Sequence, residues 1–215
     1  MNKHTELHFG EPVNSYARST PPGTYVAMHQ KAPTRQTALD LLLQYNRSDS
    51  LINHGKAVEA SMRYMARKAG QDEETWGIIG LIHDLDYEQF PDQHCKKTEE
   101  ILRAQNWPED YIRAVLSHGW GICTDVKPQS LLEKTLYTVD ELSGFVTACA
   151  LVRPSKSVAD LEVKSVKKKW KQKGFAAGVQ RDIVERGAEM LGVSFDEITA
   201  DVIAALRERR EELGL

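Results

Sequence analysis

The sequence has no long apolar run. Its longest nearly apolar stretch, Phe145 to Val152, is far shorter than the ~20 residues a bilayer-spanning helix needs. Cysteine is scarce: Cys95, Cys123 and Cys149 are odd in number and widely spaced, which excludes a dense disulfide framework. The opening residues, MNKHTELHFG, lack the apolar stretch of a secretion signal. Together these absences lead us to expect a protein of the reducing cytoplasm with no membrane partner. A dominant charge is also missing. The 28 Lys and Arg against 31 Asp and Glu leave −3 over 215 residues, so no global field draws nucleic acid or membrane. No stretch alternates apolar and polar residues with a two-residue period. With 41% hydrophobic residues there is enough for a packed core, and the expected fold class is all-α.

Residues 1–36 hold Gly10, Pro12, Pro21, Pro22, Gly23 and Pro33 and no helical period, so an irregular arm is expected there. Such an arm could be disordered, or could wrap the body or exchange between subunits, which raises a homo-oligomer as a partner. A single helical domain is expected over 37–215, with its core at about 37–150 and a helical extension at 151–215. The period predicts helices over 37–45, from Asp49 or Ser50 to before Gly70, 72–84, 94–105, from Pro108 to Gly119, 130–150, 178–191 and 195–213. Asp72 is a candidate N-cap. Residues 153–173 carry eight basic residues against Asp160 and Glu162, a local +6 that leaves −9 for the rest.

His4, His8 and His29 fall in the arm. His54 shares a stripe with Ala57, Val58, Ser61, Met62 and Met65. His83 follows Trp76, Ile79 and Gly80 at helical spacing, His94 leads toward Thr98, Ile101 and Leu102, and His118 follows Tyr111, Ala114 and Val115. All four imidazoles are expected on inward faces of four helices. Singly, each reads as a satisfied core histidine. Converging on one interior beside carboxylates, they match the usual way of holding a transition metal.

Two aspartates join them. Asp84 follows His83 near a helix C-terminus, where the dipole disfavours an anion unless a cation compensates. Asp140 borders the apolar stripe of the long helix, followed by Ser143, Gly144 and Thr147, whose small size leaves room for a ligand. The plain alternative for Asp140 is an ion pair with a Lys or Arg.

The order His54, His83-Asp84, Asp140 resembles the HD-domain superfamily of metal-dependent phosphohydrolases over about residues 37–150. The resemblance implies a bundle of about five core helices with each ligand on a separate one. His94 and His118 stand where some members carry two further histidines for a second metal. By this resemblance His54, His83, Asp84 and Asp140 hold one ion, Asp84 bridges, and His94 and His118 hold another. The implied cofactor is one or two divalent ions, with Mn, Fe, Mg, Zn, Ni and Co all open. Arg47 resembles an upstream arginine often found in the family. The doublet continues as HDLDYE (83–88) rather than HDIG, and no GYP signature is present.

The chemistry implied is hydrolysis of a small phosphoester, such as a nucleotide's, by a metal-activated water. Asp84, Asp86 and Glu88 are candidate catalytic residues; Asp86 and Glu88 would transfer protons or orient a ligand histidine, or simply face water. Arg47, Arg153, Lys156 and Lys164 are candidate substrate-binding residues. Cys123 is expected to fill space. Phe175 to Gly178 could pack over the site. Two alternatives stand beside this reading. One is a di-iron oxygenase of the same superfamily, which the ligand set does not separate from a hydrolase. The other is a non-catalytic regulatory or nucleic-acid-binding domain, the latter using Lys167–Lys169 with Trp170. The basic segment also has a plain reading, a solvated helix face paired with the acidic C-terminal helices.

Overall fold

The computed structural model describes residues 32–215. Most of the expected arm therefore lies outside the described residues, with His4, His8 and His29. Arg35 and Gln36, assigned to that arm, instead open the first helix.

Ten α-helices follow: α1 (Arg35–Tyr45), α2 (Asp49–Lys68), α3 (Glu73–Ile82), α4 (Lys96–Ala104), α5 (Glu109–Ser117), α6 (Leu131–Leu151), α7 (Val163–Trp170), α8 (Arg181–Leu191), α9 (Phe195–Glu208) and α10 (Arg210–Leu213). A short 3-10 turn, Pro91–Gln93, precedes α4. Among the described residues there is no strand, only one isolated bridge between Trp120 and Thr124. The fold is all-α.

Local chemistry sets the helix ends. Thr34, Ser130 and Ser194 each form a capping box with the residue three positions on. Asp72 accepts from the Glu74 amide, as its sequence position suggested. Neither Asp49 nor Ser50 caps α2; Ser48 occupies the cap position, and its hydroxyl bonds Ser50 Oγ rather than a helix amide. Glu88 caps it from a distance, accepting from the Arg47 and Ser48 amides at 2.8 and 3.0 Å. Helix α4 starts at Lys96 rather than residue 94 because Cys95 has φ 67°, which breaks the helical path. The expected last helix divides at Arg209.

Helix α2 packs most extensively against α3 and also contacts α6 and α9. The α2–α3 approach requires Gly80, where a Cβ would stand 2.9 Å from Met62 Cγ and 3.1 Å from the Val58 carbonyl. Val58, Met62, Ile78, Ile82, Leu136, Val139, Phe145 and Val146 are fully buried in one core. Each such side chain contributes about 1.5–3 kcal/mol, against about 0–1 kcal/mol for each exposed ion pair. Packing therefore holds the bundle, and ties such as Lys68–Asp201 between α2 and α9 trim it. The residues carrying the site stand at one end of this core, where α2, α3, α5 and α6 meet.

Helix α7 is absent from the helical period and matches only the plain reading of the basic segment as a helix face. It packs its one buried residue, Val166, inward and leaves its lysines outside. Lys167 pairs with Asp196 of α9 at 2.8 Å. Trp170 packs edge-on to Phe145, lies against Phe195 and donates to Glu185. The basic segment thus carries the plain pairing with acidic helices, and its tryptophan is committed to intramolecular packing.

Candidate metal centre

His54 projects from the second turn of α2 and Asp140 from the middle of α6. His83 and His118 are the C-cap residues of α3 and α5. His94 lies between the 3-10 turn and α4, so it sits on a turn rather than inside a helix. Helix ends suit this task, because the last turn leaves carbonyls without helical partners. His83 Nδ1 lies 2.8 Å from the Gly80 carbonyl, and His118 Nδ1 lies 2.5 Å from the Val115 carbonyl. A carbonyl only accepts, so each Nδ1 carries hydrogen and donates it. In the neutral ring that leaves Nε2 as a bare lone pair. His94 Nδ1 donates to Asp86 Oδ1 at 2.8 Å, with the same result.

These Nε2 atoms converge on two carboxylates. Asp140 Oδ1 is 2.9 Å from His54 Nε2 and 3.1 Å from His83 Nε2. Asp84 Oδ2 faces the same pair, at 3.7 and 3.4 Å. Asp84 Oδ1 turns the other way, to His94 Nε2 at 3.5 Å and His118 Nε2 at 3.4 Å. Those two nitrogens are themselves 3.1 Å apart. One carboxylate therefore stands between two donor clusters. His54, His83, Asp84 and Asp140 form one, and His94, Cys95 and His118 form the other.

The electrostatics favour added positive charge. Burial opposes charging His83, but Asp84 and Asp140 overcome it and hold its pKa well above the ordinary value. Burial likewise opposes ionising Asp84, yet His83 and His118 hold its pKa well below the carboxylate range. Asp140 is lowered in the same way by His83 and His54. Imidazole and carboxylate donors at these separations suit a borderline transition ion. The residues present fit a divalent metal.

A cavity of about 300 Å³ opens onto these ligands. Its lining adds Leu51, Tyr87, Ile122, Glu141, Gly144 and the segment Gly178–Gln180. Sequence reasoning missed Glu141, although an acid in the otherwise apolar middle of α6 was a signal. Burial and then Asp140 push its pKa up to about 7, and it accepts from the Gln180 amide at 3.1 Å. Gly178 does reach the site, as the expectation for that loop allowed, together with Val179 and Gln180.

Several expected site residues lie elsewhere. Asp86 is fully buried beneath His94 and spends both oxygens, one on His94 and one on the Thr98 amide. It is placed to orient a histidine, not to reach substrate. Glu88 is exposed and occupied with the α2 cap, so its catalytic assignment is corrected. Arg47 is exposed and does not line the cavity. Arg153 pairs with Asp160 and lines a separate cavity of about 360 Å³ with Lys168 and Lys169. Lys164 pairs with Glu162, and Lys156 is exposed at a turn with φ 49°. None of the four cations reaches the metal-facing cavity, and their substrate-binding assignment is corrected. Each has a nearby anion or open solvent that serves its charge better than a distant site.

No described helix is long and apolar enough to cross a membrane. No solved structure matches the chain. A curated relative, the tRNA (cytidine(56)-2'-O)-methyltransferase of Thermoplasma volcanium, is 29% identical over 120 residues, spanning 55% of this chain and 36% of that protein. The chain thus spans about a third of that relative's length. The family model described as the HD domain matches residues 51–144, the stretch that runs from just before His54 to just after Asp140. Residues 51–144 thus match the HD domain, and the ordered ligands His54, His83, Asp84, His94, His118 and Asp140 all fall inside the match.

Proposed function

We propose that this protein is a metal-dependent phosphohydrolase that cleaves a small phosphoester with water. The observation that carries the reading is the two-faced Asp84, with one oxygen on His54 and His83 and the other on His94 and His118. A bridging carboxylate between two histidine clusters suits a pair of divalent ions. When bound, such ions supply Lewis acidity, lowering the pKa of a water and offsetting charge on phosphoryl oxygens.

The chain's own residues do the positioning. The Gly80 and Val115 carbonyls and Asp86 fix the tautomers of His83, His118 and His94, so every Nε2 points inward. Glu141 sits at the cavity wall, placed to give a proton to a leaving alkoxide or take one from water. Leu51, Tyr87 and Ile122 offer an apolar rim for the organic part of the substrate.

Among the described residues, no Lys or Arg lines this cavity. That supports a substrate with one phosphate rather than a polyphosphate chain, because the ions alone would meet the phosphoryl charge. The same observation favours the second reading, a di-iron oxygenase acting on a substrate of low charge, which would use the same ligands. Metal analysis combined with a screen of phosphomonoesters separates them. The hydrolase reading expects phosphate release that needs a divalent ion and is indifferent to dioxygen. Two irons per chain with turnover only under dioxygen would replace it with the oxygenase. A protein that takes up no metal on reconstitution would overturn both.

A further inference from the structure

The centre's second cluster borders a cysteine pair, one member of which, Cys95, is itself a donor of that cluster. Cys95 and Cys123 come from the start of α4 and the loop after α5, and their Sγ atoms stand 2.8 Å apart. Cys95 is fully buried, while Cys123 is exposed. Cys123 is therefore not the space-filling residue expected of it. The surrounding backbone is shaped around the pair. Cys95 holds φ 67°, a left-handed conformation uncommon outside glycine. At Gly119, next to His118, a Cβ would lie 2.4 Å from Cys123 Sγ and 2.6 Å from Cys95 Sγ. Any side chain there would push the sulfurs apart.

We propose that Cys95 and Cys123 form a reversible disulfide, a modification site formed by oxidants of the peroxide class. Exposed Cys123 meets the oxidant first. Its thiolate attacks one peroxide oxygen, the O–O bond breaks, and the sulfur becomes a sulfenic acid as the other oxygen leaves as hydroxide, which takes up the proton released by the Cys123 thiol to become water. Cys95 then attacks the Cys123 sulfur. The S–S bond forms, the S–O bond breaks, and the hydroxide leaves as water with the Cys95 proton. In sum, two thiols lose two hydrogens and one peroxide becomes two waters. The link ties the turn carrying His94 to the loop following His118, and Cys95 Sγ already lies 3.9 Å from His118 Nε2. The redox state of the pair is thereby set beside two of the six inward ligands. Cys149 is buried on α6, lines a different cavity, and stays out of the reaction.

The test treats the full chain with hydrogen peroxide, blocks remaining thiols with iodoacetamide, and reads intact mass and linked peptides. The expected result is loss of two of the three thiols within one chain, a Cys95–Cys123 linked peptide, and full reversal by dithiothreitol. Cys123→Ser should leave Cys95 and Cys149 both reduced after the same treatment. Gly119→Ala should slow the link several-fold if it folds; Cys123→Ser keeps the test decisive if it does not. An intermolecular disulfide through Cys123, irreversible oxidation of Cys123 without a link, no loss of thiols, or oxidation of Cys95 in Cys123→Ser would each overturn the proposal.

Discussion

His94 Nε2 and His118 Nε2 lie 3.1 Å apart, and each ring already donates its Nδ1 hydrogen away from the other. Two neutral imidazoles in this arrangement aim lone pairs at one another. Only a shared proton or a bound cation makes the contact favourable. The mutual orientation of these two side chains thus states the electrostatic demand of the second cluster without reference to any relative. The double substitution His94→Ala with His118→Ala should remove that demand. We expect the ion content to fall from two per chain to one, with the first cluster intact. Elemental analysis of the untagged protein checks this, and loss of both ions or of neither contradicts the two-cluster arrangement.

Asp84 is the one carboxylate shared by both clusters. Asp84→Ala should abolish metal binding while leaving helical content largely intact, since Asp84 lies outside the helices and the core that holds α2, α3 and α6 does not involve it. Circular dichroism together with metal titration reads both halves. Normal metal retention in this variant would remove the bridging role.

Asp86 acts through His94. Replacing it with Ala leaves His94 free to rotate and the Thr98 amide unpaired in a buried place. We expect metal affinity at the second cluster to weaken by about 10–100-fold, the usual range for loss of a carboxylate behind a ligand histidine. The first cluster should be unaffected. A uniform loss at both clusters would point instead to general collapse.

His54, His83, His118 and Asp140 were legible because each lies on or at the end of an apolar stripe, where an imidazole or carboxylate is conspicuous, whereas His94 and Asp84 lie outside the helices and were legible from their places beside such stripes. The helices around them were legible for the same reason. Long-range cations were not. Arg153 and Lys164 looked available for phosphate because charge along a sequence does not reveal its local partner, here Asp160 seven residues on and Glu162 two residues back. Glu88 was near the doublet in sequence, but the chain turns it away to the start of α2. Helix α7 leaves no helical period in the sequence, because a short lysine-rich segment with one buried valine has almost no apolar face to read.

That correction is itself testable. Arg153→Ala, Lys156→Ala and Lys164→Ala should each change kcat/KM for a phosphoester by no more than about twofold, the scale of an ordinary surface substitution. Glu88→Ala should lower Tm through loss of the α2 cap and leave turnover unchanged. A large drop in kcat/KM from any of the four would return that residue to the site.

The histidine–carboxylate cluster also fixes how stability should depend on pH. In chelated protein, the folded pKa of His83 is held above its ordinary value by Asp84 and Asp140. Its contribution is fully present below the unfolded value of about 6.5 and is lost as pH rises through the folded value. Asp84 and Asp140 are lowered, so their contribution is present above about 3.9 and is lost only as pH falls through the folded values. Metal-free protein should therefore be most stable in mildly acid solution and lose stability on the alkaline side. A divalent ion takes the place of the imidazolium charge and competes with protons for the same Nε2 atoms. Metal-loaded protein should hold its Tm as pH rises and lose the metal's contribution as pH falls. Thermal unfolding from about pH 5 to about pH 9, with chelator and with manganese, resolves the two curves. They should diverge toward high pH and converge toward low pH, and parallel curves would mean that the ion does not bind these histidines.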